Sequence, residues 1–348
     1  MINHIIDRYK QLRSMRQLQE VCTGGYAFVG IGSHSVDNLY PVLDYLGVQL
    51  KHICCRSEGK LRLIEKKRHT HATTSLSDIL NDDEVAGVLV AAGPKANFGI
   101  AKQVITSCKS LFVEKPPCLT LDELNELIAL KARQPHTMAA VGLQKRYAPA
   151  TQMLKRRLRK AQQVSYNLKY LTGLYPEGDA LTDLFIHPLD LVCHLFGNAT
   201  VRNIECVGNA ANGLTLMVVL KHGAATGMLE LSTAYSWATA CEQLTVNTHN
   251  GIYEMSQMEC LDFCPKSGSL CGVPLEKVLP RRQTTISLLA RNNFSPVQAN
   301  NQIYTQGFYA EIKAFTDAVE GHKNGICSSL ESLVPTYELL EAIRRQME

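Results

Sequence analysis

The sequence has one tryptophan, no Cys-x-x-Cys pair and little net charge, +4 over 348 residues. Nor does it contain an apolar run near the roughly 18 residues that a membrane-spanning helix needs, so no membrane partner is expected. The first twenty residues lack the unbroken apolar core of an export signal, because Asp7, Arg8, Lys10, Arg13 and Arg16 interrupt it. A cytoplasmic location is the expectation. The basic clusters Lys66-Lys67-Arg68 and Lys155 to Lys160 are local. The second follows a helical pattern with Leu154 and Leu158 opposite, as a solvated helix face does, and no nucleic-acid partner is expected. Most of the twelve cysteines lie in apolar runs, where a free thiol behaves as a small hydrophobe. Cys260, Cys264 and Cys271 have no structural-zinc spacing, and no metal is expected.

What is present is enough chain for two domains. Ile2, Ile5, Ile6, Tyr9, Leu12, Met15 and Leu18 recur at helical spacing, predicting an added N-terminal helix over residues 2–21 within an extension of residues 1–24. From Tyr26 short apolar strands alternate with helical segments: Ala27 to Ile31, Leu50 to Cys55, Ala86 to Ala92, Leu111 to Glu114 and Met138 to Gly142. That alternation predicts a parallel sheet over residues 25–146, an α/β Rossmann dinucleotide-binding domain. Beyond it the pattern changes. A helix is predicted from Pro149 to Arg159, and 202–209, 213–220 and 224–233 read as consecutive strands. Residues 147–348 are therefore expected to form an α+β domain with a mainly antiparallel open sheet. Helices over Phe308 to Val319 and Leu330 to Arg345 close the chain, the first capped by Gly321.

The first strand runs into Gly30-Ile31-Gly32-Ser33-His34-Ser35 and then a helical pattern. Glycines there permit a tight turn and let the backbone reach a pyrophosphate at a helix N-terminus. Ser35 stands where that fingerprint carries a third glycine or alanine. The second strand ends Cys54-Cys55-Arg56-Ser57, without the carboxylate that binds the ribose of NAD. Arg56 can pair with a 2′-phosphate while Ser57 adds a donor, so NADP is expected in preference to NAD.

Four further segments carry a family resemblance. Glu114-Lys115-Pro116 ends the strand before the last of the sheet, and Val141 to Pro149 leads out of that last strand. Asp183-Leu184-Phe185-Ile186-His187-Pro188-Leu189-Asp190 places His four residues after Asp, with Gly197 closing the segment. Glu311, Phe315, Ala318 and Gly321 fall on a late helix. In this order, with the glycine loop upstream, they resemble the Gfo/Idh/MocA oxidoreductases over about residues 25–345. Ala92-Gly93-Pro94-Lys95-Ala96-Asn97 departs from the family's usual Thr-Pro-Asn and following His. The resemblance implies that Ser33, His34, Ala92, Asn97, Glu114, Lys115 and Gln144 join Gly30, Gly32, Arg56 and Ser57 in binding the cofactor. It also implies pairing of copies into a homodimer or homotetramer.

Hydride transfer from a carbinol needs a base for the hydroxyl proton and a positive group for the developing oxyanion. By the same resemblance Lys115 faces the reacting oxygen, His187 is the acid/base with an ordinary pKa of about 6.5, and Asp183 orients it or binds a substrate hydroxyl. Tyr147 and Tyr170, with Tyr166 and Tyr235, are candidates to line the substrate site or simply to fill a core. A helix would place Asp183, His187, Asp190 and His194 on one face, but Pro188 predicts a kink or a new helix start. The expected activity is dehydrogenation or reduction at a CH–OH carbon of a small polar sugar, cyclitol or nucleotide-sugar. The competing readings are an imine or conjugated-bond reductase of the same fold and a non-catalytic NADP-binding scaffold.

Overall fold

The computed structural model describes residues 2–19, 22–209, 211–278, 284–291 and 300–347. They form two compact units. The first comprises Met1–Pro117, Glu126–Val141 and Ile312–Ile326, the second Cys118–Asn125, Gly142–Glu311 and Cys327–Glu348.

The first unit is built on six strands: β1 (Gly25–Val29), β2 (Gln49–Cys54), β3 (His71–Thr73), β4 (Val85–Val90), β5 (Ser110–Glu114) and β6 (Ala139–Gly142). Their order is β3-β2-β1-β4-β5-β6, and the β1, β2, β3, β4 and β5 pairings are parallel. This is the doubly wound arrangement, whose strand order reverses between β1 and β4. Tyr26, Ala27, Phe28, Val88, Leu89, Val90, Leu111, Phe112 and Val113 are fully buried, as central parallel strands are when both faces are covered. The three-residue β3 is too short to leave a period in the sequence. An N-terminal helix covers Ile2–Gln19. In its first half the apolar residues do not face a core, since Ile2, Ile5, Tyr9 and Leu12 are all more than half exposed.

The late segment 312–326 returns to this unit. Phe315 packs on Phe112 with ring centroids 5.8 Å apart, and Glu320 accepts hydrogen bonds from the backbone of Thr23 and Gly24 and from the Tyr26 hydroxyl. Helix Phe308–Val319 ends as Gly321 foretold: Gly321 has φ +75°, and the N–H of His322 donates to Asp317 O at 2.7 Å.

The second unit holds an eight-stranded sheet and a small two-stranded ribbon. The strands are β7 (Val164–Leu171), β8 (Thr200–Asn209), β9 (Gly213–Lys221), β10 (Ala225–Ser232), β11 (Cys241–Thr248), β12 (Gly251–Ser256), β13 (Cys260–Pro265) and β16 (Ile286–Leu289), with β14 (Ser269–Leu270) and β15 (Val273–Pro274) in the ribbon. The order β16-β13-β12-β11-β7-β10-β9-β8 is antiparallel except between β7 and β10, so the sheet is mixed and mostly antiparallel. Residues alternate strictly between buried and exposed along β12, the mark of a sheet covered on one face. The Tyr166 hydroxyl and His222 Nε2 are 2.7 Å apart in its core, where Phe196 stacks on Tyr166. No helix among the described residues is long and apolar enough to cross a membrane. All twelve cysteines are free thiols.

Candidate functional site

In the first unit the chemistry gathers at the carboxyl ends of β1, β4 and β5. Gly30 has φ +105°, and a Cβ there would stand 2.2 Å from the carbonyl of Ala91, so only glycine lets β1 turn out beside β4. Around the Gly32 Cβ position lies open space. Ser35 explains its own presence in place of a third glycine: its buried hydroxyl accepts from Gly32 N–H at 3.0 Å and donates to Gly32 O at 2.9 Å. The chain continues as one π-turn, Ser35–Leu39, before helix Tyr40–Leu46, a widening that recurs at functional sites. Ser33 and His34 are exposed on this loop. A cradle with glycines at the close approaches and open space at Gly32 fits a dinucleotide pyrophosphate.

Arg56 and Ser57 are exposed at the end of β2, where Ser57 begins helix Glu58–Arg68. Cys55, nearly buried, stands beside Arg56 at the strand tip.

Asn97 is fully buried and ties two strand exits together, those of β4 and β5. Its Nδ2 donates to Glu114 O and Pro116 O, both at 3.0 Å, and its Oδ1 accepts from Ala92 N–H at 3.2 Å. Those bonds commit Asn97 and the Ala92 amide, both expected to contact cofactor, to shaping the turn that carries half-buried Lys115. Glu114 is buried, with Oε1 3.3 Å from His34 Nε2 and Oε2 accepting from Lys115 N–H. The peptide before Pro116 is cis.

In the second unit the Asp183–His187 segment breaks into two helices, Ala180–Asp183 and Ile186–Phe196. Pro188 lies in the first turn of the second, where its missing N–H leaves no bond unmade. This is the new helix start that Pro188 predicted, and it leaves His187, Asp190 and His194 on the second helix and Asp183 on the first. Asp190 is held by Arg146, Nε–Oδ2 2.8 Å and Nη2–Oδ1 2.5 Å, and by Thr336 Oγ1. His194 lies 3.0 Å from Lys155 Nζ, and burial together with that ammonium pulls its pKa down to about 4. Asp183 and His187 remain at the junction. Asp183 accepts from the Tyr175 hydroxyl at 3.4 Å, and burial beside this carboxylate pushes the Tyr175 pKa up to about 12. A Cβ at position 178 would stand 2.1 Å from Asp183 Oδ2, so a side chain there would displace this carboxylate. Nothing in the sequence pattern singles out Tyr175 or Gly178, which belong to an aperiodic loop.

The tyrosines divide. Tyr147 is buried, its hydroxyl accepting from Cys327 N–H and 2.9 Å from Ser328 Oγ, which makes it a packing residue, as Tyr166 is. Tyr235 is exposed and reaches Glu230. Tyr170 is half-buried against Phe185, edge to face with centroids 6.4 Å apart. Gln144 is buried in a 3₁₀ turn, Gln144–Arg146. Among the described residues no three or more His, Cys, Asp or Glu side chains are arranged to hold a metal ion.

Comparison with known proteins agrees with this geometry. The chain is 23% identical over 187 residues to inositol 2-dehydrogenase of Salmonella typhimurium, covering 51% of this chain and 55% of that one. It spans about half the length of the curated relatives it matches. A dehydrogenase structure from Chromobacterium violaceum superposes with a TM-score of 0.76 at 18% identity, covering 93% of this chain and 95% of that chain. The structure of GenD2 from gentamicin A biosynthesis, in complex with NAD, gives 0.70 at 22% identity, covering 94% and 95%. The oxidoreductase family described by its NAD-binding Rossmann fold matches residues 25–143. Over those residues the chain is similar to the NAD-binding Rossmann fold of the Gfo/Idh/MocA oxidoreductases.

Proposed function

We propose that the protein is an NAD(P)-dependent dehydrogenase or reductase acting at a CH–OH carbon of a sugar, cyclitol or nucleotide-sugar, with NADP preferred. The observation that carries this reading is the turn Glu114-Lys115-Pro116, fixed by buried Asn97 at the ligand-binding edge of a dinucleotide-binding sheet. The similarity to an inositol dehydrogenase supports a sugar-like substrate.

The residues placed to hold the cofactor are Gly30, Gly32, Ser33 and His34 along the loop, with Arg56 and Ser57 at the end of β2. Bound nicotinamide would supply the hydride acceptor or donor. The Lys115 ammonium would stabilise negative charge on the substrate oxygen, and His187 would take or return the hydroxyl proton. Asp183, held by Tyr175, would orient His187 or accept from a substrate hydroxyl. A soluble cytoplasmic homo-oligomer is part of the same reading.

Titration of the purified protein with NADPH and NADH, followed by cofactor fluorescence, tests it. Tighter binding of NADPH is expected, since β2 ends Cys54-Cys55-Arg56-Ser57, with an arginine to pair with a 2′-phosphate and no carboxylate to suit a free ribose hydroxyl. Preference for NADH overturns the NADP assignment, and binding of neither overturns the dehydrogenase.

A further inference from the structure

Two buried ion pairs start from adjacent residues of the second unit, and they differ in kind. Arg146 and Asp190 are saturated. Arg146 donates to both Asp190 oxygens, to Cys327 O and to Ser332 Oγ and O, and Asp190 also accepts from Thr336. Such a network closes on itself and serves the fold. The neighbouring pair does not close. Lys145 Nζ lies 2.5 Å from Glu242 Oε2, with the two side chains only 9% and 10% exposed, yet Glu242 Oε1 is buried with no hydrogen-bond partner among the described residues.

Lys145 spends its remaining field on an aromatic ring. Its ammonium stands 4.7 Å from the centroid of Tyr170. Tyr170 and Glu242 are directly opposite each other on antiparallel β7 and β11, so their side chains leave the same face of the sheet. Tyr170 in turn meets Phe185, which lies in the break between Asp183 and His187. Its hydroxyl makes no hydrogen bond among the described residues. Burying a lysine and a glutamate is costly unless the pair is fully satisfied, and here it holds a tyrosine with a spare hydroxyl beside the catalytic candidates.

We infer that Lys145 and Glu242 are positioning residues that fix Tyr170, and that the Tyr170 hydroxyl reads a hydroxyl group of a neutral polyhydroxy substrate. This rests on the dehydrogenase reading above and deepens it. The cation of Lys145 is matched by the anion of Glu242, so the trio offers polarity without net charge, which suits an unphosphorylated sugar or cyclitol over a sugar acid.

Steady-state oxidation of myo-inositol, neutral aldoses, glucuronate and a nucleotide-sugar is measured for the wild type, Tyr170→Phe, Lys145→Met, Lys145→Arg, Glu242→Gln and the Lys145→Met/Tyr170→Phe double variant. Cofactor affinity is measured beside it by fluorescence. Tyr170→Phe, Lys145→Met and Glu242→Gln are each expected to raise KM for a neutral substrate about tenfold, the worth of one hydrogen bond, while kcat changes far less and cofactor affinity holds. Lys145→Arg, which keeps the charge and the ring contact, restores most of the loss. The double variant does no worse than its weaker parent, because both changes remove one interaction. Unchanged KM in Tyr170→Phe, which keeps the ring and therefore the fold, overturns the inference even if the lysine variants do not fold. Additive losses in the double variant overturn the positioning role, and wild-type activity confined to anionic sugars overturns the neutral substrate. A wild type that binds cofactor and oxidises nothing in the panel overturns the dehydrogenase reading, and this inference with it.

Discussion

Asn97 holds Glu114 by the backbone: its amide donates to the Glu114 carbonyl at 3.0 Å from inside the first unit, one turn into the helix that follows β4. A second bond to Pro116 O brackets Lys115 between two fixed carbonyls. Asn97→Ala leaves those buried carbonyls and the Ala92 amide without this partner, at about 1–3 kcal/mol. Chemical denaturation is expected to show that loss, and kcat to fall with it as the Lys115 turn loosens. Full stability with full activity would refute the bracing role.

Lys115→Ala and His187→Ala are each expected to lower kcat by about a hundredfold or more, the usual worth of a positioned acid, base or charge-stabilising group. Both side chains are only half-buried, so circular dichroism and the melting temperature should stay near wild type. Near-normal turnover in both variants would remove the mechanism.

Arg56→Ala is expected to weaken NADPH about tenfold and leave NADH nearly untouched, because a charge-assisted bond to the 2′-phosphate is lost and nothing else. The pair of titrations reads this directly. Equal loss for both cofactors would make Arg56 a loop residue without a say in the choice.

Asp190→Ala strands the Arg146 guanidinium, since both side chains are only 3% exposed. Removing one member of a buried pair costs about 3–5 kcal/mol. Urea unfolding should place this variant among the least stable single changes in the second unit, and a loss under about 1 kcal/mol would show that the pair is not holding the fold.

His194 gives stability a pH dependence. Burial, then the Lys155 ammonium, holds its folded pKa at about 4, below the unfolded value of about 6.5. The unfolded chain therefore binds the proton more readily between those values, and stability present above pH of about 6.5 is lost as pH falls toward 4. His222, also depressed by burial, acts in the same direction. Melting curves should show His194→Gln with a shallower decline over this window than wild type. Identical slopes would assign the acid sensitivity to other groups.

The alternation of strands and helices from residue 26 to 142 was legible in the sequence because a parallel sheet covered on both faces demands continuous apolar runs. The glycine loop was legible because close backbone approach admits no Cβ, as Gly30 against Ala91 shows. Pro188 announced the helix start by its own ring. These are local demands, and a sequence states local demands outright.

Tertiary structure alone decided the partners. Only pairing across the fold reveals that Asn97 serves Glu114 and Pro116, that Asp190 answers Arg146, and that Tyr147 is spent on Cys327 and Ser328. It likewise places Glu242 against Lys145, 97 residues away along the chain, and sends residues 312–326 back to the first unit. A buried polar group must find its complement somewhere. Which complement it finds is set by where the strands and helices bring distant backbone together, and no spacing along the chain encodes that distance.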